Sequence, residues 1–233
     1  MESATIPHDP TFKAMYNIVH IDEKWFYMTK KSANYYLLPD EADPLRYCKN
    51  KNFIGKVMFL VAITRPRFDD EGNETFSRKI GVFPFVTKES AKRTSVNRVA
   101  YTLETTHITS MTKEISRSFL IEKVIPTIKE KWPRDDIHIP VFIHQDNVIS
   151  HIKDNDSEFC RVAREDGFDI RLMFQPPNSP YLNVLDLGFF SVIQALHYKE
   201  PTRTIDELIS VVVKSFESFP SIVSNTIFLT LQT

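Results

Sequence analysis

Apolar residues along this chain recur with two different periods, and the switch between them predicts the order of its elements. Residues 17–30, NIVHIDEKWFYMTK, are β-branched and aromatic with near alternation, which predicts a strand. A second short run, ANYYLLP at 33–39, follows a few residues later. KVMFLVAIT at 56–64 is almost unbroken in its apolar character, the signature of a central strand buried on both faces. DDEGN at 69–73 predicts a polar turn. KIGVFPFV at 79–86 predicts another strand, with Pro84 placing it at an edge or a bulge. Residues 87–106 are polar, basic and without either period, which predicts a loop or insertion.

The period then lengthens. Ile115, Phe119, Val124 and Ile128 recur at helical spacing from about Thr112 to Lys131, with Thr112 as the cap and Pro126 predicting a kink. IHIPVFIHQD at 137–146 is a strand ending in polar residues. SEFCRVARED at 157–166 is an amphipathic helix closed by Gly167, and FDIRLMF at 168–174 is the next strand. After the loop QPPNSP come a helix from about Asn183 to Tyr198 and another in ELISVVVKSFESF at 207–219. Early strands followed by alternating helix and strand predict an α/β chain, a mixed β-sheet flanked by helices.

Composition narrows the chemistry. A chain of 233 residues can build one sizeable core. Only 5 glycines are present and no glycine-rich phosphate loop appears, so no small-molecule cofactor of the nucleotide type is expected. The formal net charge of -1 carries no general attraction for nucleic acid, so any DNA contact must come from a local patch or through metal. Cys48 and Cys160 stand far apart with no further thiol, which fits a reducing compartment and excludes a cysteine-rich zinc site. No apolar leader and no membrane-length apolar run occur, so neither secretion nor membrane insertion is expected.

Three aspartates occupy telling places. Asp22 lies within the first strand, Asp146 ends the strand VFIHQD, and Asp186 lies in the first turns of the helix after the last strand. Neighbouring strand ends and a helix start can bring three carboxylates together. Such a group repels itself until divalent cations neutralise it, and hard oxygen donors suit Mg²⁺ or Mn²⁺. Two such ions can activate a water and stabilise the leaving oxygen of a phosphodiester. Spacing alone leaves a second reading open: Asp22 a surface acid, Asp146 a turn residue and Asp186 a helix-start acid favoured by the helix dipole.

The blocks around these residues, HIDEKWFY, HQDNVISH and PPNSPYLNVLDLGFF, resemble the three catalytic blocks of mariner-like DNA transposases, especially the plant group. The 39 residues from 147 to 185 between Asp146 and Asp186 match the spacing of the plant branch. KVMFLVAITRPRFDDEGN, KIGVFPFV and FLIEKVIPTIKEKWP resemble that group too, and the likeness runs from about Phe12 to the final residues. The resemblance implies a ribonuclease H-like fold and cut-and-paste transposition, in which Asp22, Asp146 and Asp186 hold the metal ions. It further implies transposon ends and target DNA as partners, a possible homodimer, and a nuclear location drawn from function alone.

Departures from the family pattern are specific. Tyr181 stands where relatives carry an acid in N-S-P-D-L-N, and Val148, Ile149 and Ser150 alter the loop before His151. The helix-turn-helix region that precedes the family's first block is not represented here, and relatives continue beyond TLQT. The chain therefore reads as residues 1–16, an N-terminal remnant, and 17–233, the catalytic domain, truncated at both ends.

Further residues carry two readings each. His151 can touch a phosphate near the metals or be a loop histidine. Lys88, Lys92, Arg93 and Arg98, interleaved with hydroxyl and amide side chains, suit phosphate contact or plain solvation. Arg65 and Arg67, leaving the central strand, stand in the same position. Asn147 and Asn178 can orient the carboxylates through hydrogen bonds or simply cap loops. Glu23 and Trp25 share the face opposite Asp22, which makes Glu23 structural or solvated and packs Trp25 against a helix. Two other functions compete with transposition: an inactive or domesticated remnant that only binds nucleic acid or other subunits, and a ribonuclease H-like nuclease. Three aspartates at this spacing favour transposition over the nuclease, whose relatives use more glutamate.

Overall fold

A five-stranded mixed sheet organises the computed structural model, which describes residues 14–29, 54–77, 79–94, 99–177 and 179–231. The ANYYLLP run, Cys48, Arg98 and Asn178 lie outside the described residues.

The chain enters with β1 (Ile18–Tyr27) and returns antiparallel as β2 (Lys56–Thr64). β2 has the bounds its apolar run predicts, and eight of its nine residues are buried because both faces are covered. A small ribbon of β3 (Arg67–Phe68) and β4 (Glu74–Phe76) then projects. It turns at the predicted DDEGN segment, where Asp69 accepts the Asn73 amide at 2.7 Å and Gly72 takes a positive φ of 85°.

β5 (Lys79–Pro84) pairs antiparallel with β2 and forms one edge of the sheet, which is where a proline belongs in a strand. The expectation of an unpatterned loop over 87–106 is corrected at both ends. β6 (Val86–Ser90) and β7 (Leu103–His107) form an antiparallel hairpin. None of its strand residues is buried, so its side chains show no alternation even though its backbone is paired.

The predicted 112–131 helix is present with an irregular middle. Thr112 caps α1 (Lys113–Phe119) by accepting the Ile115 amide, a π-helical turn spans Leu120–Val124, and α2 (Ile125–Lys131) follows directly. Ile125 donates to the Leu120 carbonyl five residues back. The wide turn sits just ahead of Pro126, whose ring nitrogen has no hydrogen for the regular ladder.

β8 (Val141–Gln145) then pairs parallel with β1, and after α3 (Ser157–Ala163) the strand β9 (Ile170–Phe174) pairs parallel with β8. Gly167, at φ 79°, closes the turn after α3 as its position predicts. A second π-helical turn, Leu185–Phe189, leads into α4 (Phe190–His197), then α5 (Ile205–Ser218) and α6 (Ser221–Thr230). The sheet order is β5-β2-β1-β8-β9.

Strand alternation divides the core in two. Val19 and Ile21 with Met58, Leu60 and Ala62 pack against the helix through Leu120, Val124 and Ile128, and against Phe159 of α3. Phe26 with Val57, Phe59, Val61 and Ile63 packs against Phe189, Phe190, Val212, Phe216 and Phe228. Trp25 belongs to the first face, against a helix as expected, with the Lys56 ammonium 4.1 Å from its ring centroid. Asp22, of the same parity as Phe26, therefore opens toward the face on which the Leu185–His197 helix lies.

Candidate active site

Register places the first two aspartates. In the parallel pairing of β1 with β8, His20 is opposite His144, so two further residues along each strand bring Asp22 alongside Asp146. Asp146 lies one residue beyond β8, at the carboxyl end of the strand, where open α/β sheets form their binding crevices. The two histidines meet Nδ1 to Nδ1 at 3.2 Å with their rings edge to face, and pin this register. Asp186 arrives from the other direction, in the π-helical turn whose Leu185 and Phe189 are buried against the sheet. Asp22, Asp146 and Asp186 line one cleft of about 390 Å³, together with Asn147, Gln175 and Asn183.

Each carboxylate has a different partner. Asn183, itself buried, donates from Nδ2 to Asp22 Oδ2 at 2.8 Å while its Oδ1 accepts the Leu185 amide at 3.0 Å. The same side chain thus fastens Asp22 to the start of the Asp186 helix. Asp146 Oδ1 is 2.7 Å from His151 Nδ1, and His151 Nε2 is 3.2 Å from Glu23 Oε1. Burial opposes the charge on His151, but the bonds to Asp146 and Glu23 win and lift it to about 10, so the ring is an imidazolium. Burial also pushes Asp146 upward, yet the His151 bond and charge hold it below the ordinary range. Lys24 Nζ lies 3.3 Å from Asp186 Oδ1.

Asp22 stands apart. Burial first, then the negative charges of Asp186, Glu23 and Asp146, push it up to about 8 despite the bond it accepts from the Glu23 amide. Negative charge is concentrated here beyond what Lys24 and His151 neutralise. That excess and a donor set of carboxylate and amide oxygens fit a hard divalent cation such as Mg²⁺ or Mn²⁺. As the side chains stand, however, no three His, Cys, Asp or Glu groups among the described residues form a set that could hold a metal ion.

The other expected residues fall in several places. Asn147 lines the cleft. His151 is buried against Asp146 rather than turned outward to a phosphate. Arg65 and Arg67 leave β2 beside the start of β1, at the opposite end of the sheet. There Arg65 donates to Asn225 Oδ1 and the Ala14 carbonyl, and Arg67 is ion-paired with Asp136. Lys88, Lys92 and Arg93 are exposed on the β6–β7 hairpin, which does not line the cleft. Tyr181 is exposed in a short turn at 180–182, and Ile149 is 98% exposed, so both altered loop positions face solvent. A larger cavity of about 520 Å³ surrounds Arg67 and Trp132 at the far end of the sheet, but its one carboxylate, Asp136, is already paired with Arg67.

Two site residues, Lys24 and Asn183, were not singled out in the sequence, and a third, Glu23, was given another role. Lys24 is two positions after Asp22, on the same strand face, a signal that was legible. Asn183 lies three before Asp186 in the same block, also legible in retrospect. Glu23 was read as structural or solvated; it does face away from Asp22, yet it reaches His151 because the chain after Asp146 turns around the end of the sheet, with His151 bonded back to the Val148 carbonyl.

No protein-family model matches this sequence, and no curated protein sequence matches it. Solved structures do. The chain is similar to a pre-cleavage Mos1 transpososome, with a TM-score of 0.61 at 15% identity over 93% of its residues. It is similar also to the Mos1 transposase paired-end complex with left transposon end, with a TM-score of 0.59 at 15% identity over 94%. In both cases it covers 53% of the matched chain, and so spans about half their length. Against the catalytic domain of Mos1 mariner transposase the TM-score is 0.53 at 13% identity, covering 94% of this chain and 78% of that one. The mixed sheet, its flanking helices and these neighbours show that the chain shares the ribonuclease H-like fold of the Mos1 catalytic domain, and at 13% identity the likeness shows the fold alone.

Proposed function

We propose that this chain performs divalent-metal-dependent phosphoryl transfer on DNA, cleaving phosphodiesters and joining the freed 3′ hydroxyl to target DNA, with Asp22, Asp146 and Asp186 as the metal-holding carboxylates. The observation that carries the reading is their convergence: three acids from three distant segments line one cleft at the carboxyl end of β8. Mos1 structures with Mg and with Mn, and others with a transposon end, support both the cation and the substrate class.

The metal would supply charge neutralisation at the phosphate and acidify an attacking water. The chain's own residues do the positioning. Asn183 orients Asp22 and ties it to the Asp186 helix, His151 orients Asp146, and Glu23 holds His151. Transposon ends and target DNA as partners, pairing of two copies, and action in the nucleus belong to the same proposal.

The test is purified protein with nicked or pre-cut duplex in Mn²⁺ or Mg²⁺, beside Asp146→Asn. Cleavage or joining that disappears in the variant is the expected result. One observation favours a second reading, a remnant that binds nucleic acid without cutting it: an ammonium, that of Lys24, already lies 3.3 Å from Asp186 Oδ1. DNA bound but intact with both proteins, in either metal, would establish that reading instead.

A further inference from the structure

The two protein cations that contact carboxylates of the cleft differ in how firmly they are held. His151 has a side chain only 7% exposed and is bound through both ring nitrogens, to Asp146 and to Glu23. Lys24 is 38% exposed and meets Asp186 through one contact of 3.3 Å, long for a charge-assisted bond. Its other neighbour is the face of Phe190, with the ammonium 5.1 Å from the ring centroid. Phe190 is buried and anchored in the second core, so this perch persists whatever happens at Asp186.

We infer that Lys24 is a displaceable counterion: it holds Asp186 while the cleft is without metal, and a divalent ion that takes Asp186 releases it to bind a phosphate of the DNA. This inference rests on the metal-dependent reading above. An ammonium and a divalent ion cannot both sit on one carboxylate oxygen without strong mutual repulsion, and the doubly charged ion prevails. Strand parity places Lys24 on the same face as Asp22, so the freed ammonium remains at the mouth of the cleft. Metal loading and DNA engagement are thereby coupled, because the phosphate-binding cation becomes free only when the metal is in place.

Mn²⁺ binding without DNA, followed by the paramagnetic resonance of the free ion, tests the competition directly on wild type, Lys24→Gln, Lys24→Arg and Asp186→Asn. A half-exposed ion pair contributes modestly, so Lys24→Gln should bind Mn²⁺ about two- to fivefold more tightly. Lys24→Arg, which keeps the charge, should stay near wild type. Affinity for a slow-cleaving phosphorothioate duplex across a salt series gives the second readout. With Mn²⁺ present, Lys24→Gln should lower the salt slope by about one counterion, and without metal it should leave the slope unchanged. Unchanged or weaker Mn²⁺ binding by Lys24→Gln overturns the inference, as does a slope change that is the same with and without metal. Asp186→Asn separates the two levels. If it binds Mn²⁺ as well as wild type, the metal reading fails and this inference with it. If it loses Mn²⁺ while Lys24→Gln has no effect, only the role of Lys24 is overturned.

Discussion

His20 and His144 face each other across two parallel strands, Nδ1 to Nδ1 at 3.2 Å, each two residues ahead of an aspartate that lines the cleft. One nitrogen of the contact must carry hydrogen and the other must not, so the bond is lost once both rings are protonated. The H-x-D spacing repeats in both blocks, and the register that pairs the histidines is what sets Asp22 beside Asp146.

The pair should make the protein acid-sensitive. Burial, then the neighbouring His144, lowers His20 from 6.5 to about 3, and burial lowers His144 as well. Because the folded value lies below the unfolded one, the stabilisation is complete above about pH 6.5 and declines as pH falls toward 3. The slope from one such proton is about 1.4 kcal/mol per pH unit. Urea unfolding across this range should show a shallower decline for the His20→Leu, His144→Leu double variant than for wild type. Parallel curves would count against the pair.

His151 predicts the opposite limb. Its folded value of about 10 lies above the ordinary 6.5, so its contribution is complete below pH 6.5 and is lost as pH rises through 10. Asp146 is 38% exposed, which discounts that half of the interaction, whereas Glu23 is 17% exposed. His151→Gln should cost about 1–2 kcal/mol at pH 6, and less at pH 10. Denaturation at the two values decides it; an equal loss at both would show that His151 acts through packing alone.

Metal uptake should release a proton. Asp22, pushed up to about 8, is protonated at pH 7 in the metal-free protein, whereas a cation binds the carboxylate. Calorimetry of Mn²⁺ binding at pH 7 in buffers of different ionisation enthalpy should therefore report release of about one proton, fading above pH 9. Affinity should rise with pH up to about 8 and then level off. Heats independent of buffer at pH 7 would contradict this account of Asp22.

The helix bearing Asp186 depends on the second core. Phe189 is fully buried, edge to face with Phe216 and Phe219. Phe189→Ala should lower stability by about 3–5 kcal/mol, read from urea midpoints. A loss below 1 kcal/mol would mean that the helix is held mainly by other contacts.

Much of the fold was legible along the chain. β2 was readable to the residue because an unbroken apolar run has one explanation in a small α/β protein, and Thr112 and Gly167 marked their helix ends for local reasons. The β6–β7 hairpin was not, since strands with no buried residue lack the alternation that reveals a strand. Neither was α6: SIVSNTIFLT is rich in β-branched residues, and it is helical because Pro220 starts it and Phe228 buries its ring against the sheet beside His20. The π-helical turns have no local signature apart from Pro126 near one of them.

For the site, the identities of Asp22, Asp146 and Asp186 came from short blocks of sequence, because strand ends and helix starts are local features. Their partners did not, because a counterion is whichever charge the fold brings near. Arg65 and Arg67 looked available for DNA and are bonded at the far end of the sheet, while Glu23 looked peripheral and holds His151 from the opposite face.

By itself the chain determined where most strands and helices lie and which acids stand at their ends, since periodicity and capping act over a few residues. Only the tertiary structure decided which charges meet: Asp186 with Lys24 across 162 positions, Glu23 with His151 across 128, and Asp22 with Asn183 across 161. Electrostatic and hydrogen-bond energies depend on separation in space, and separation along the chain does not encode it.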